Sequence, residues 1–172
     1  MVAALVVLVA GALAFALGSL PATTPATTVV GAHPLVGRLA PDFTLGTLDG
    51  RRLSLAEFRG RPVIVNFWAS YCEPCKVEFP LFKSARDRHA GAGLEILGVI
   101  KDDDDLSAAR AFAESQGATW PLLPDPGGRT VDAYRVAAVP LTFYLDRNGI
   151  VRAVSFGPPP SGVLDDHLAK IL

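Results

Sequence analysis

Two cysteines, Cys72 and Cys75, are the only ones in the chain, and they stand two residues apart just behind the apolar run Val63–Trp68 (VIVNFW). Six nearly unbroken apolar residues suit a central strand covered on both faces. The residues from Cys72 to about His89 carry a helical pattern, so the cysteine pair falls at the first turn of a helix that follows a buried strand. A chain with two cysteines is neither a disulfide-stapled mini-protein nor a holder of a four-cysteine zinc site.

That arrangement favours sulfur chemistry. The thiolate is the nucleophile, and the amides and dipole at a helix N-terminus stabilise negative charge there. Two intervening residues bring a second sulfur within reach of a mixed disulfide. Pro74 suits the first helical turn, where its missing N–H costs nothing. Cys72 is therefore expected to attack and Cys75 to resolve. A purely structural bridge would close almost no loop and stabilise little. Half of a metal site is the remaining alternative, but His33, His89 and His167 are not spaced as ligands with the cysteines, and neither a metal nor a cofactor is expected. Asp102–Asp105 lacks the spacing of a calcium loop and reads as a solvated helix start.

Charge divides the chain. All 16 basic and 17 acidic side chains lie in residues 38–172, about a quarter of that stretch and normal for a soluble domain. Val2–Leu20 carries none. As a helix it would span roughly 28 Å, the thickness of a hydrocarbon core. It is expected to be a single-pass membrane anchor, with a cleaved signal segment or a buried core helix as alternatives; a basic leader is missing. Pro21–Gly37 (PATTPATTVVGAHPLVG) reads as an extended tether. Either export reading puts the 38–172 domain outside the cytoplasm. The formal net charge of −1 argues against nucleic acid as a partner.

Along the domain, Phe43–Thr47 and Arg51–Ser54 form a hairpin, and Ser54 with Glu57 makes a capping box for Leu55–Phe58. Strands follow at Val63–Trp68, Leu94–Ile100, Pro121–Leu123, Leu141–Asp146 and Ile150–Phe156. Helices are expected at Leu106–Gln116, Thr130–Tyr134 and Val163–Leu172. Asn148-Gly149 is a strong hairpin signal. This order implies an α/β fold: a central mixed sheet with helices on both faces, an N-terminal hairpin extension and a helical insert.

Phe67-Trp68-Ala69-Ser70-Tyr71-Cys72-Glu73-Pro74-Cys75-Lys76 resembles the thioredoxin active-site segment. Val65–Pro80 is similar to the membrane-tethered ResA/TlpA/CcmG branch, and the resemblance runs through residues 38–172. It implies a thioredoxin-like fold and a thiol–disulfide oxidoreductase. It makes Pro140, after Val139, the cis-proline facing the disulfide, with Val139 offering backbone groups to a partner, and Pro80 the helix-kinking proline. Asn66 stands where thioredoxin has a buried Asp. The branch has an acidic residue at the position of Glu78 that acts on the thiols, so Glu78 is expected to move a proton at Cys75, against the alternative of a solvated carboxylate. Tyr71 replaces the usual Trp. Trp68, Phe79 and Phe82 read as core, Trp68 also shaping the site.

Glu73, beside Cys72, disfavours the thiolate and pushes the pair toward being a reductant. The resemblance implies protein disulfides as substrates, apocytochrome c among them, a membrane electron donor of the CcdA or DsbD kind, and a monomer. An oxidant or isomerase for secreted proteins is the same-class alternative. A copper-delivery protein needs one more residue between the cysteines, and a peroxiredoxin needs Thr at Ala69.

Overall fold

The computed structural model describes residues 33–172. The expected anchor Val2–Leu20 and most of the tether lie outside the described residues. Among the described residues no helix is long and apolar enough to cross a membrane. The end of the expected tether, residues 33–37, instead packs as part of the domain. The His33 ring meets Phe143 edge-on at 5.0 Å, and the Gly37 amide donates to Val151 at 2.8 Å.

A short hairpin, β1 (Thr44–Gly46) and β2 (Arg52–Ser54), opens the domain. Ser54 caps a 3₁₀ turn at Leu55–Phe58, with Glu57 closing the capping box. Then come β3 (Val63–Trp68), α1 (Glu73–Arg88), β4 (Glu95–Ile100), α2 (Leu106–Ser115), β5 (Leu122–Pro124), α3 (Arg129–Ala133), β6 (Leu141–Leu145), β7 (Val151–Phe156) and α4 (Ser161–Ala169). The main sheet has the order β5-β4-β3-β6-β7, with β3 in the middle. β3, β4 and β5 are parallel, while β6 and β7 run antiparallel.

Every residue of β3 is buried, as its apolar run requires, and alternation divides it between two cores. Ile64 and Trp68 join Phe79, Phe82, Ala109, Leu164 and Leu168 beneath α1, α2 and α4. Val63, Val65 and Phe67 join Phe43, Leu55, Tyr134 and Phe143 on the other side. The two faces are unequal: three helices cover one, and the other is closed mainly by the N-terminal segment, the 3₁₀ turn and the loop around Tyr134. The insert after β4 is a helix plus an edge strand, because β5 pairs with β4 through Gly98↔Leu122.

Most expected elements end within a residue or two of their observed bounds. The last helix departs most. It begins at Ser161, directly after Pro160, whose φ of −53° is compatible with helix entry, and it closes at Ala169. Gly98 is required by a close approach: a Cβ there would stand 3.0 Å from Trp68 Nε1 and 3.3 Å from Trp120 Nε1.

Candidate active site

Cys72 is the N-cap of α1, and Pro74 occupies its first turn. The two cysteines are joined by a disulfide with S–S 2.05 Å and Cα–Cα 5.3 Å. The backbone N–H of Cys75 donates to Cys72 Sγ at 3.2 Å, so a helix-terminal amide already points at the sulfur that would carry charge after reduction. Cys72 is 6% exposed and Cys75 fully buried. Of the two, Cys72 is the one that reaches the surface.

The same helix carries a buried carboxyl group. Glu78, one helical turn past Cys75, is completely shielded from solvent. Its carboxylate accepts from Asn66 Nδ2 at 3.0 Å and from Thr142 Oγ1 at 3.3 Å, and Asn66 also donates to Thr142 Oγ1 at 2.9 Å. Burial pushes Glu78 up to about 7, with the two hydrogen bonds pulling the other way. The solvated-carboxylate alternative is therefore set aside. Its partners are on the sheet rather than on a sulfur. The acid absent from position 66 is supplied to the same place from the helix.

The turn ahead of Cys72 is braced from the β4–α2 loop. Asp104 accepts from the Ser70 amide at 2.7 Å and from Ser70 Oγ at 2.6 Å. Tyr71 is exposed, and its hydroxyl donates to Asp103 at 2.7 Å. Asp105 caps α2 by accepting from Ser107 and Ala108. The aspartate run is thus partly a helix cap and partly a clamp on the cysteine turn. This clamp was not visible in the sequence, where only the run of four acids hinted at more than a solvated helix start.

Glu73 is exposed and ion-paired with Lys76 one turn away, a pair screened by solvent. Trp68 is core: it meets Phe79 edge-on at 4.8 Å, and its indole N–H has no partner.

The Val139–Pro140 peptide bond is cis. Pro74, Ala138, Val139, Pro140 and Phe156 line a mostly apolar groove with Arg135 at its rim. Phe156 is 61% exposed. The groove runs from Pro74 in the cysteine-bearing helix turn to the β6 entry loop. Among the described residues no group of three or more His, Cys, Asp or Glu is placed to hold a metal ion.

Residues 36–154 match the AhpC/TSA family. The chain belongs to that family, with a thioredoxin-like fold. Within it, the chain is 36% identical to the thiol-disulfide oxidoreductase ResA of Geobacillus thermodenitrificans over 136 residues, 79% of this chain and 78% of that protein. It is 33% identical to ResA of Bacillus subtilis over 135 residues, 78% of this chain and 75% of the relative. Among solved structures, a DsbE-like thiol:disulfide interchange protein from Chlorobium tepidum superposes with a TM-score of 0.72 at 31% identity, covering 80% of this chain and 98% of that one. StoA from Bacillus subtilis gives 0.63 at 25% identity, covering 76% and 98%. These likenesses support the ResA/CcmG branch and show a thiol–disulfide oxidoreductase.

Proposed function

We propose that this oxidoreductase is an extracytoplasmic reductant of protein disulfides, anchored by its N-terminal segment, working as a monomer, and acting on the Cys-x-x-Cys-His segment of apocytochrome c. A membrane donor of the CcdA or DsbD kind would re-reduce it. The observation that carries the direction is Glu78. Glu78 is sealed in the core one turn past Cys75 and held by the neutral side chains of Asn66 and Thr142; once it has lost its proton, its charge disfavours a thiolate at Cys75 and so favours the disulfide form of this protein.

In the forward reaction the Cys72 thiolate attacks one sulfur of the partner disulfide, whose S–S bond breaks and releases the first partner sulfur as a thiolate, leaving a mixed disulfide with Cys72. Glu78 takes the proton from Cys75, whose thiolate attacks Cys72 Sγ. The bond from Cys72 to the partner breaks, and the second partner sulfur leaves reduced. The reduced protein, mixed with an oxidised Cys-x-x-Cys-His peptide, is expected to reduce it. Cys75→Ser should accumulate the mixed disulfide, and Cys72→Ser should be inert. A wild-type protein that instead oxidises the reduced peptide under the same conditions contradicts the reading. The Lys76 cation, one helical turn on from Cys72 and paired with Glu73, is the feature that favours that oxidant or isomerase alternative.

A further inference from the structure

A buried acid that takes a proton each turnover must also lose it, and Glu78 has no exposed surface. A line of polar groups crosses the sheet from it. Asn66 of β3 pairs with Thr142 of β6, which pairs with Ser155 of β7, all on the face covered by α1 and α4. Thr142 Oγ1 bonds Glu78 at 3.3 Å; Ser155 Oγ lies 3.2 Å from Tyr144 OH and 3.3 Å from His167 Nδ1. The His167 ring sits 4.8 Å from Tyr144 and is half-buried on α4, reaching solvent. Ile64, Phe82, Ala153, Leu164 and Leu168 surround this line with hydrocarbon. Hydroxyls in such a place cost desolvation unless they are used.

We propose that Thr142, Ser155 and His167, with Tyr144 bracing Ser155, form the route by which the proton of Glu78 exchanges with solvent. This rests on the reading of Glu78 as proton acceptor for Cys75. Thr142 and Ser155 face each other across one antiparallel pair with no hydrogen bond between them in this structure, so a turn about their side-chain bonds closes this step of the route. The proton from Cys75 passes to Glu78 and then outward along the hydroxyls to His167 and water. The electron pair of the broken bond leaves on the partner sulfur, which takes its own proton from solvent. Burial, then the charge of Lys170, lowers His167 from its ordinary value, with Asp166 opposing. A neutral ring of this kind can accept at Nδ1 from Ser155 and release at Nε2. Asn66, Thr142 and Tyr144 face Glu78.

A proton route changes rates and leaves the equilibrium alone. In stopped-flow reduction of a disulfide peptide from pH 6 to 9, Ser155→Ala and His167→Gln should slow resolution of the mixed disulfide by about tenfold or more. Their reduction potentials should match the wild type, and added imidazole should restore the rate of His167→Ala. Wild-type rates in both Ser155→Ala and His167→Gln would overturn the route and send the proton out past the sulfurs. A shifted potential would make the residues structural and overturn it equally. Glu78→Gln separates the two readings. If it is slow while Ser155→Ala and His167→Gln are fast, the route alone fails; if its rate and pH profile are unchanged, the assignment of Glu78 fails and the route with it.

Discussion

Asn66 on the central strand donates its side-chain amide to the buried carboxylate of Glu78 at 3.0 Å. The strand supplies the polar contact and the helix supplies the acid. The redox pair above them therefore rests on a group that can change charge near neutral pH, inside a core otherwise built of aromatic and aliphatic side chains.

Glu78 ties stability to pH. Its carboxyl is raised from 4.5 to about 7 in the folded oxidised protein, so the folded state holds this proton where the unfolded chain has lost it. Its contribution is complete below about 4.5, falls as pH rises, and is gone above about 7, a total of about 3 kcal/mol. Chemical denaturation at pH 5 and pH 8 checks this. Glu78→Gln should flatten the decline between the two, and an unchanged slope would move its cause elsewhere.

Asp104 fixes the turn that presents Cys72. Asp104→Ala removes both acceptors of Ser70 and is expected to lower stability by about 2 kcal/mol. It should also slow attack by Cys72 several-fold. Asp104→Asn, which keeps a carbonyl acceptor for the Ser70 amide, should recover part of both. Unfolding curves and the initial rate of disulfide exchange read the two effects.

The exposed pair of Glu73 and Lys76 tunes the potential gently. Removing the cation with Lys76→Ala leaves Glu73 alone beside Cys72 and should make the protein more reducing. Glu73→Gln should do the opposite. Each shift is expected to be about 5–20 mV, the scale of a solvent-screened ion pair, measured by equilibration against glutathione.

Gly98 has no room for a side chain. Gly98→Ala would drive a methyl group against Trp68, Leu122 and Trp120 at 3.0–3.3 Å, at a cost of about 1–3 kcal/mol by overpacking. The tryptophan fluorescence of the folded protein should change with it, since both indoles must shift.

The strand Val63–Trp68 and the helix start at Cys72 were legible in the sequence because one is a continuous apolar run and the other carries its own capping and proline signals. Glu78 was legible as a candidate by its one-turn spacing from Cys75. Its burial was not, because that depends on Asn66 and Thr142 arriving from two strands 76 positions apart. The Asp104 clamp was hidden for the same reason: it joins loops 34 residues apart. The pairing of Glu73 with Lys76 shows only once the helix places the two side chains together. The boundary at Gly37 was drawn from composition, which is blind to His33 fitting against Phe143.

The reduction potential of the Cys72–Cys75 pair tests the central claim most directly. Residues 33–172 of the full protein contain both cysteines and Glu78, and the full chain can be equilibrated against glutathione or dithiothreitol with the disulfide fraction read at each ratio. A value near or below about −230 mV, on the thioredoxin side of the scale, is the predicted result for a dedicated reductant. A value above roughly −180 mV would contradict it and make the protein an oxidant or isomerase.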